Sequence, residues 1–137
     1  MVNNELGDIT SRHADTKTVE ATEDISAGDS IAIDQSEDDD RYAPAAQLQD
    51  DTTPNVDQMA GVALEDIDNG DRGTVLLGGS VIANVATGVN AGERLDASTT
   101  AGQLDTEDGG PAVAWSDEGG TDSAGTDLGD NEAEVSL

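Results

Sequence analysis

The sequence predicts an all-β fold, a small single-domain β-barrel or β-sandwich-like domain with pseudo-repeated turn-strand units. Three observations predict it. Residues 60–85 (AGVALEDIDNGDRGTVLLGGSVIANV) are the longest weakly charged, β-branched stretch, and they divide into apolar runs at Asp66-Ile67-Asp68-Asn69-Gly70-Asp71 and at Gly78-Gly79. A Gly beside an acidic residue precedes a short strand in three places, Ala27-Gly28-Asp29, Asn69-Gly70-Asp71 and Ala91-Gly92-Glu93, as suits a residue that reaches positive φ in turns. The terminal Glu132-Ala133-Glu134-Val135-Ser136-Leu137 alternates polar and apolar groups, the period of a strand with Ala133, Val135 and Leu137 inward.

Taken in order, residues 1–15 hold isolated apolar groups, Val2, Leu6 and Ile9, without periodicity, and read as an N-terminal arm ahead of a β-domain at 16–137. A frayed terminus and an arm that docks on a neighbour fit this segment equally. His13 has no second His or Cys to complete a metal site, so it reads as a surface histidine. Residues 17–20 alternate as a strand. Ser30-Ile31-Ala32-Ile33 follows, with Ile31 and Ile33 expected inward. The run QSEDDD at 35–40 offers oxygen ligands for Ca²⁺ or Mg²⁺ but lacks the EF-hand spacing, and a solvated turn is the better reading. Tyr42 then suits an amphipathic anchor. Residues 46–57 read as the most loop-like interior piece.

The stretch 60–85 reads as a β-meander of three strands, followed by a brief strand at Arg94-Leu95-Asp96 and a turn of small residues at 98–102. Gly110-Pro111-Ala112-Val113-Ala114-Trp115 then echoes Gly61-Val62-Ala63-Leu64, with Pro111 at a strand start or edge. Residues 118–130 read as a flexible, Gly-rich acidic loop. In both 61–77 and 110–137 a Gly-led apolar strand precedes an acidic loop and an alternating strand, a pattern of internal pseudo-repetition.

Composition bounds what such a domain can be. A chain of 137 residues buries roughly 65 to 70% of the surface its unfolded form exposes, which suggests one core and not two. That core is built from Val, Ile, Leu and Ala, since there is no Phe, one Trp and one Tyr. Such thin packing gains from association with other subunits. The formal net charge is -26, from 31 acidic and 5 basic residues. Self-repulsion of that size opposes a compact state in dilute buffer. At around 1 M salt the Debye length is only about 3 Å, so the scattered acidic residues suit a protein of multimolar salt. Intrinsic disorder shares this compositional signature, and the strand patterns argue against it. The charge also disfavours direct nucleic-acid binding, which needs a basic footprint. No cysteine is present, so disulfides, thiolate chemistry and Cys-type zinc sites are excluded. The first residues have neither a basic region nor an apolar run, and no stretch reaches the length of a membrane span. The expectation is a soluble protein made in a cytoplasm.

The order Ala27-Gly28-Asp29-Ser30-Ile31, Ala60-Gly61-Val62-Ala63-Leu64-Glu65-Asp66, Gly70-Asp71, Val75-Leu76-Leu77-Gly78-Gly79-Ser80-Val81, Asn90-Ala91-Gly92-Glu93 and a late Gly-Ala-Val strand resembles the capsid-cement, or head-decoration, proteins of tailed viruses. The similarity covers about residues 17–137, and Gly, Ala and Val carry most of it. With the acidic surface added, the chain resembles such a protein from a virus of halophilic archaea. The acidic inserts at 37–40 and 118–130 depart from the family pattern. The resemblance implies a compact β-fold, a homo-oligomer with a trimer favoured, and a major capsid protein as partner on the virion exterior, with assembly in the host cytoplasm. It implies no enzyme activity and no cofactor.

A decoration protein needs a rigid scaffold and a lattice-complementary surface, with avidity from repeated contacts. Val2, Leu6 and Ile9 of the arm are the candidate partner-binding residues, adding a strand to a neighbour's sheet edge. Two other classes remain. A carbohydrate- or ion-binding β-module of a halophile's surface or secreted protein lacks clustered aromatics for sugar stacking and a signal. A hydrolase with an Asp pair has abundant carboxylates but no positioned partner.

Overall fold

Short β-branched and Ala-rich runs punctuated by glycine turns fold into ten strands among the described residues, and no helix is found there. The computed structural model describes residues 4–34, 43–52 and 56–137. Val2, the acidic run at 35–40, Tyr42 and the turn at 53–55 lie outside them.

The first five strands are β1 (Asp15–Ala21), β2 (Ser30–Ile33), β3 (Ala45–Leu48), β4 (Gly61–Ala63) and β5 (Arg72–Gly78), and they close a barrel in the order β1-β3-β2-β4-β5. The second five are β6 (Ser80–Asn84), β7 (Arg94–Ala97), β8 (Leu104–Thr106), β9 (Ala112–Ala114) and β10 (Glu132–Ser136), in a sheet of order β6-β10-β9-β7-β8. Strand for strand, the second set repeats the first. β4 pairs antiparallel with β5 and β2, as β9 does with β10 and β7. β2 pairs with β3 as β7 does with β8, and β1 pairs with β5 as β6 does with β10. The parallel contact of β1 with β3 also has its counterpart, a single bridge between Val85 and Leu104.

The turns repeat as well. Gly28 N–H reaches Ala63 O at 2.8 Å, and Gly92 N–H reaches Ala114 O at 2.7 Å. Asp66 takes the Ala27 N–H at 2.9 Å, while Asp117 takes the Ala91 N–H at 2.8 Å. The pseudo-repetition visible in residues 61–77 and 110–137 therefore extends through both halves of the chain.

Two small cores replace the one expected. Val19, Ile25, Ile31, Ala46, Ala63, Ile67 and Val75 fill the barrel. Val81, Ala83, Val85, Val89, Leu95, Leu104, Ala133 and Val135 fill the second half, together with Val62 and Leu76. β4 and β5 serve both cores, because neighbouring residues Val62 and Ala63, and Leu76 and Val75, point to opposite faces. A shared wall buried on both sides explains the uncharged runs at 61–64 and 73–78.

Several local expectations are corrected. The meander ends at β5: β6 pairs with β10 and not with β5, since the one residue Gly79, at φ 122, is too short a link for a hairpin and turns the chain into the other sheet. The loop-like piece at 46–57 begins inside β3, where small alanines fit between β1 and β2. Residues 104–106, which carried no strand signal, form β8. Ile33 is exposed while Ala32 is buried, because both faces of β2 are covered up to Ala32 and the strand then emerges. The acidic loop at 118–130 is held by its own bonds, with a Thr121–Asp127 bridge and Leu128 buried. In β10, Ala133 and Val135 are inward as expected, Leu137 packs half-buried on the core, and Glu134 is buried too.

Candidate functional site: the N-terminal arm and the seam between the halves

The arm lies along its own chain. Gly7 N–H bonds to Ile82 O at 2.8 Å, Ile82 N–H to Asp8 O at 3.0 Å, and Thr10 N–H to Ser80 O at 2.9 Å, so residues 7–10 add an antiparallel strand to β6. Of the three residues predicted to bind a partner, Leu6 is half-buried and Ile9 is exposed beside Val81. Val2 falls outside the described residues. Leu6 rests on Gly28, where an added Cβ would lie 2.7 Å from Leu6 Cδ2. Because Gly28 also has φ 88, only glycine suits both the turn and the arm above it.

Asn4 anchors the start of the arm by donating to Asp122 Oδ2 at 2.5 Å. Asp122 Oδ1 takes the Ala124 and Thr126 N–H groups, each at 2.9 Å. Burial pushes this carboxyl up, but the donors Thr126, Asn4, Ala124 and Gly125 outweigh it and hold it below its ordinary value. The arm thus ties the first-half turn to β6 and to the acidic loop of the second half.

Beneath the arm runs the seam, where the halves stop matching. In the barrel, Glu20 N–H bonds to Pro44 O at 2.9 Å and Thr22 N–H to Ala46 O at 2.9 Å, closing β1 on β3. In the second half the counterpart of the latter survives, Ala86 N–H to Leu104 O at 2.8 Å. The counterpart of the former is split. Asn84 N–H goes to Gly28 O and Ser30 N–H to Gly102 O, both at 2.8 Å, so the first half wedges between β6 and β8.

Polar side chains line this wedge. Asn84 donates to Asp29 Oδ1 at 3.1 Å and accepts from Gln103 at 3.3 Å. Gln49, fully buried, donates to Asp57 O and Asp96 Oδ1, each at 2.8 Å. Burial raises the Asp29 carboxyl, opposed by the Ser26 N–H and Asn84 and aided by the nearby Asp66 and Glu23 charges. Sequence reading missed this cluster. Its signal was the repeated Ala-Gly-acid turn at 27–29 and 91–93, which aligns the halves and exposes where they diverge.

Neither chemistry considered for isolated groups gains a partner here. His13 is exposed over a shallow groove lined by Ala14, Asp15, Gly78 and Gly79. Among the described residues, no three His, Asp or Glu side chains come together to hold a metal ion.

No family model matches the chain, and no curated protein is similar to it by sequence. A solved structure is similar in fold: the head fiber gp8.5 N base of bacteriophage phi29, at a TM-score of 0.58 and 14% identity, covering 91% of this chain and 94% of that one. In fold, the chain is similar to the base of a phage head fibre. At that coverage the likeness takes in both halves, so the paired architecture as a whole is shared.

Proposed function

We propose that this chain is a structural virion protein that decorates and stabilises the outside of an icosahedral capsid. The observation that carries the reading is the near end-to-end likeness to a phage head-fibre base. The order of turn-strand motifs that resembles head-decoration proteins points the same way, with the sequence from a virus of halophilic archaea. The scaffold suits that role, since a closed barrel and a matching second half share a wall and a strap crosses their seam. Such a body works by shape and by many repeated weak contacts on a lattice, without a catalytic group or cofactor.

The partner on this reading is the major capsid protein, and the chain acts as a homo-oligomer, a trimer by the family resemblance. With a charge of -26, contact with another acidic surface rests on apolar and backbone groups in concentrated salt. The arm residues Val2, Leu6 and Ile9 remain the proposed contacts. Strand donation by residues 7–10 would exchange the pairing with β6 for one on a neighbour. The test is co-sedimentation of the chain with shells of the major capsid protein encoded beside its gene, in multimolar salt. Stoichiometric, saturable binding is expected, and its loss on deleting residues 1–15 locates the contact in the arm. A chain that stays in the supernatant at all concentrations overturns the reading.

A further inference from the structure

The two halves share a topology, so an edge covered in one can be compared with its counterpart in the other. On β6 the outward backbone groups of Ser80 and Ile82 are all satisfied by the arm: Ser80 N–H by Ser11 Oγ at 3.0 Å, Ser80 O by Thr10, Ile82 N–H by Asp8 O, and Ile82 O by Gly7. The counterparts on β1 are Thr16 and Thr18, because Thr16 pairs near the end of β5 as Ser80 does on β10. Glu20 N–H points to β3, and strand alternation puts the N–H and C=O of Thr16 and Thr18 on that same edge. β3 reaches only Glu20 and Ala21 of β1. No described residue bonds the outward groups of Thr16 and Thr18, and Asp15, Thr16, Lys17 and Thr18 are all exposed.

We propose that this edge of β1, unpaired among the described residues at Thr16 and Thr18, pairs antiparallel with the same edge of a second copy of the chain, across a two-fold axis at Thr16. The choice of occupant rests on charge. A lysine on an exposed edge usually keeps sheets apart, and a two-fold at Lys17 would set two lysines face to face. An axis at Thr16 instead sets Lys17 opposite Asp15 of the partner subunit, and Asp15 opposite Lys17 of the partner subunit, the favourable cross-strand arrangement. In a chain with 5 basic residues against 31 acidic, a basic group one residue from the centre of this edge is the element that makes self-pairing complementary. Thr16 then exchanges two hydrogen bonds with Thr16 of the partner subunit, and the sheet runs on through both copies. The contact is short, so it is weak in dilute solution and gains effect where copies are held close, as on a shell. It concerns the chain in solution and does not rest on the capsid reading.

The chain has no cysteine, which makes the register directly testable. In this pairing residue 15 of one copy and residue 17 of the other form a non-hydrogen-bonded pair with Cα atoms about 4.5 Å apart, within disulfide reach. Asp15→Cys and Lys17→Cys chains are mixed in equal amounts in multimolar salt and mildly oxidised. The mixed disulfide is expected to exceed both like-with-like products, and Thr99→Cys, on an exposed turn, is expected to form no disulfide-linked pair. Sedimentation of the unmodified chain should show concentration-dependent pairing of the chain, or of the trimer it forms, with Lys17→Asp weakening that pairing about tenfold or more. A statistical spread of disulfides, equal cross-linking at Thr99→Cys, or an unmodified chain whose mass is independent of concentration overturns the proposal. The last result would assign the edge to a different protein or to none.

Discussion

The Gly28 carbonyl accepts the Asn84 N–H at 2.8 Å, and this bond joins the turn of one half to the strand that should have closed the other. Around it the Asn84 side chain bridges Asp29 and Gln103. Asn84→Ala keeps the backbone bond but strips both side chains of a partner at a half-buried site. A loss of about 1–3 kcal/mol is expected, read by denaturant unfolding in multimolar salt. Unchanged stability would show that the polar seam contributes nothing.

Gly28 carries two demands, a φ of 88 and Leu6 resting on its Cα. Gly28→Ala is expected to cost about 1–3 kcal/mol from the left-handed conformation alone. It should also lift the arm and speed proteolysis near residues 5–12. Adding Leu6→Ala relieves the collision but not the backbone strain, so it should recover part of the stability only. Full recovery would refute the strain argument.

At Gly61 an added Cβ would run into the carbonyl oxygen of Leu76, with no flexible side chain to give way. β4 and β5 pair at this point and form the wall between the two cores. Gly61→Ala is therefore expected to cost about 1–3 kcal/mol and to unfold both halves together in one transition. Two separated transitions would contradict the shared-wall description.

Acidification has a sign that depends on which carboxylate titrates. Asp29, raised by burial above 3.8, binds its proton more tightly when folded. Its contribution therefore improves as pH falls through its folded value, and is complete below 3.8. Asp122, held below 3.8 by its donors, stabilises fully above 3.8 and loses that contribution as pH falls through its folded value. Protonation also reduces the charge of -26. The salt needed to keep the chain folded should therefore fall between pH 7 and just above 3.8, and Asp29→Asn should flatten part of that gain. Circular dichroism across salt and pH checks it, and a salt requirement that rises over this interval would contradict the balance of terms.

Much of this was legible in residues. The all-β class followed from alternation and glycine turns, and β2 was found with its observed ends. The echo between 61–77 and 110–137 showed half of a repeat that the strand pairing completes. What failed was whatever depended on which strands meet. From Ala46 on, β3 looked like loop because Ala46 and Gln47 have no strand preference of their own, and pairing on both sides makes the strand. The meander broke at Gly79 because adjacency in sequence gave no sign that β6 would join another sheet. The seam was invisible because Asn84 and Gln49 look like surface residues until a second half covers them.

The central claim, that this chain holds the outside of a viral shell, is tested most directly by imaging purified virions that contain it. The expected result is density fitted by the two joined halves at regular positions on the outer shell surface, lost when the chain is removed and accompanied by a shell less resistant to internal pressure. Absence of the chain from purified virions, or its location inside the shell, would contradict the account.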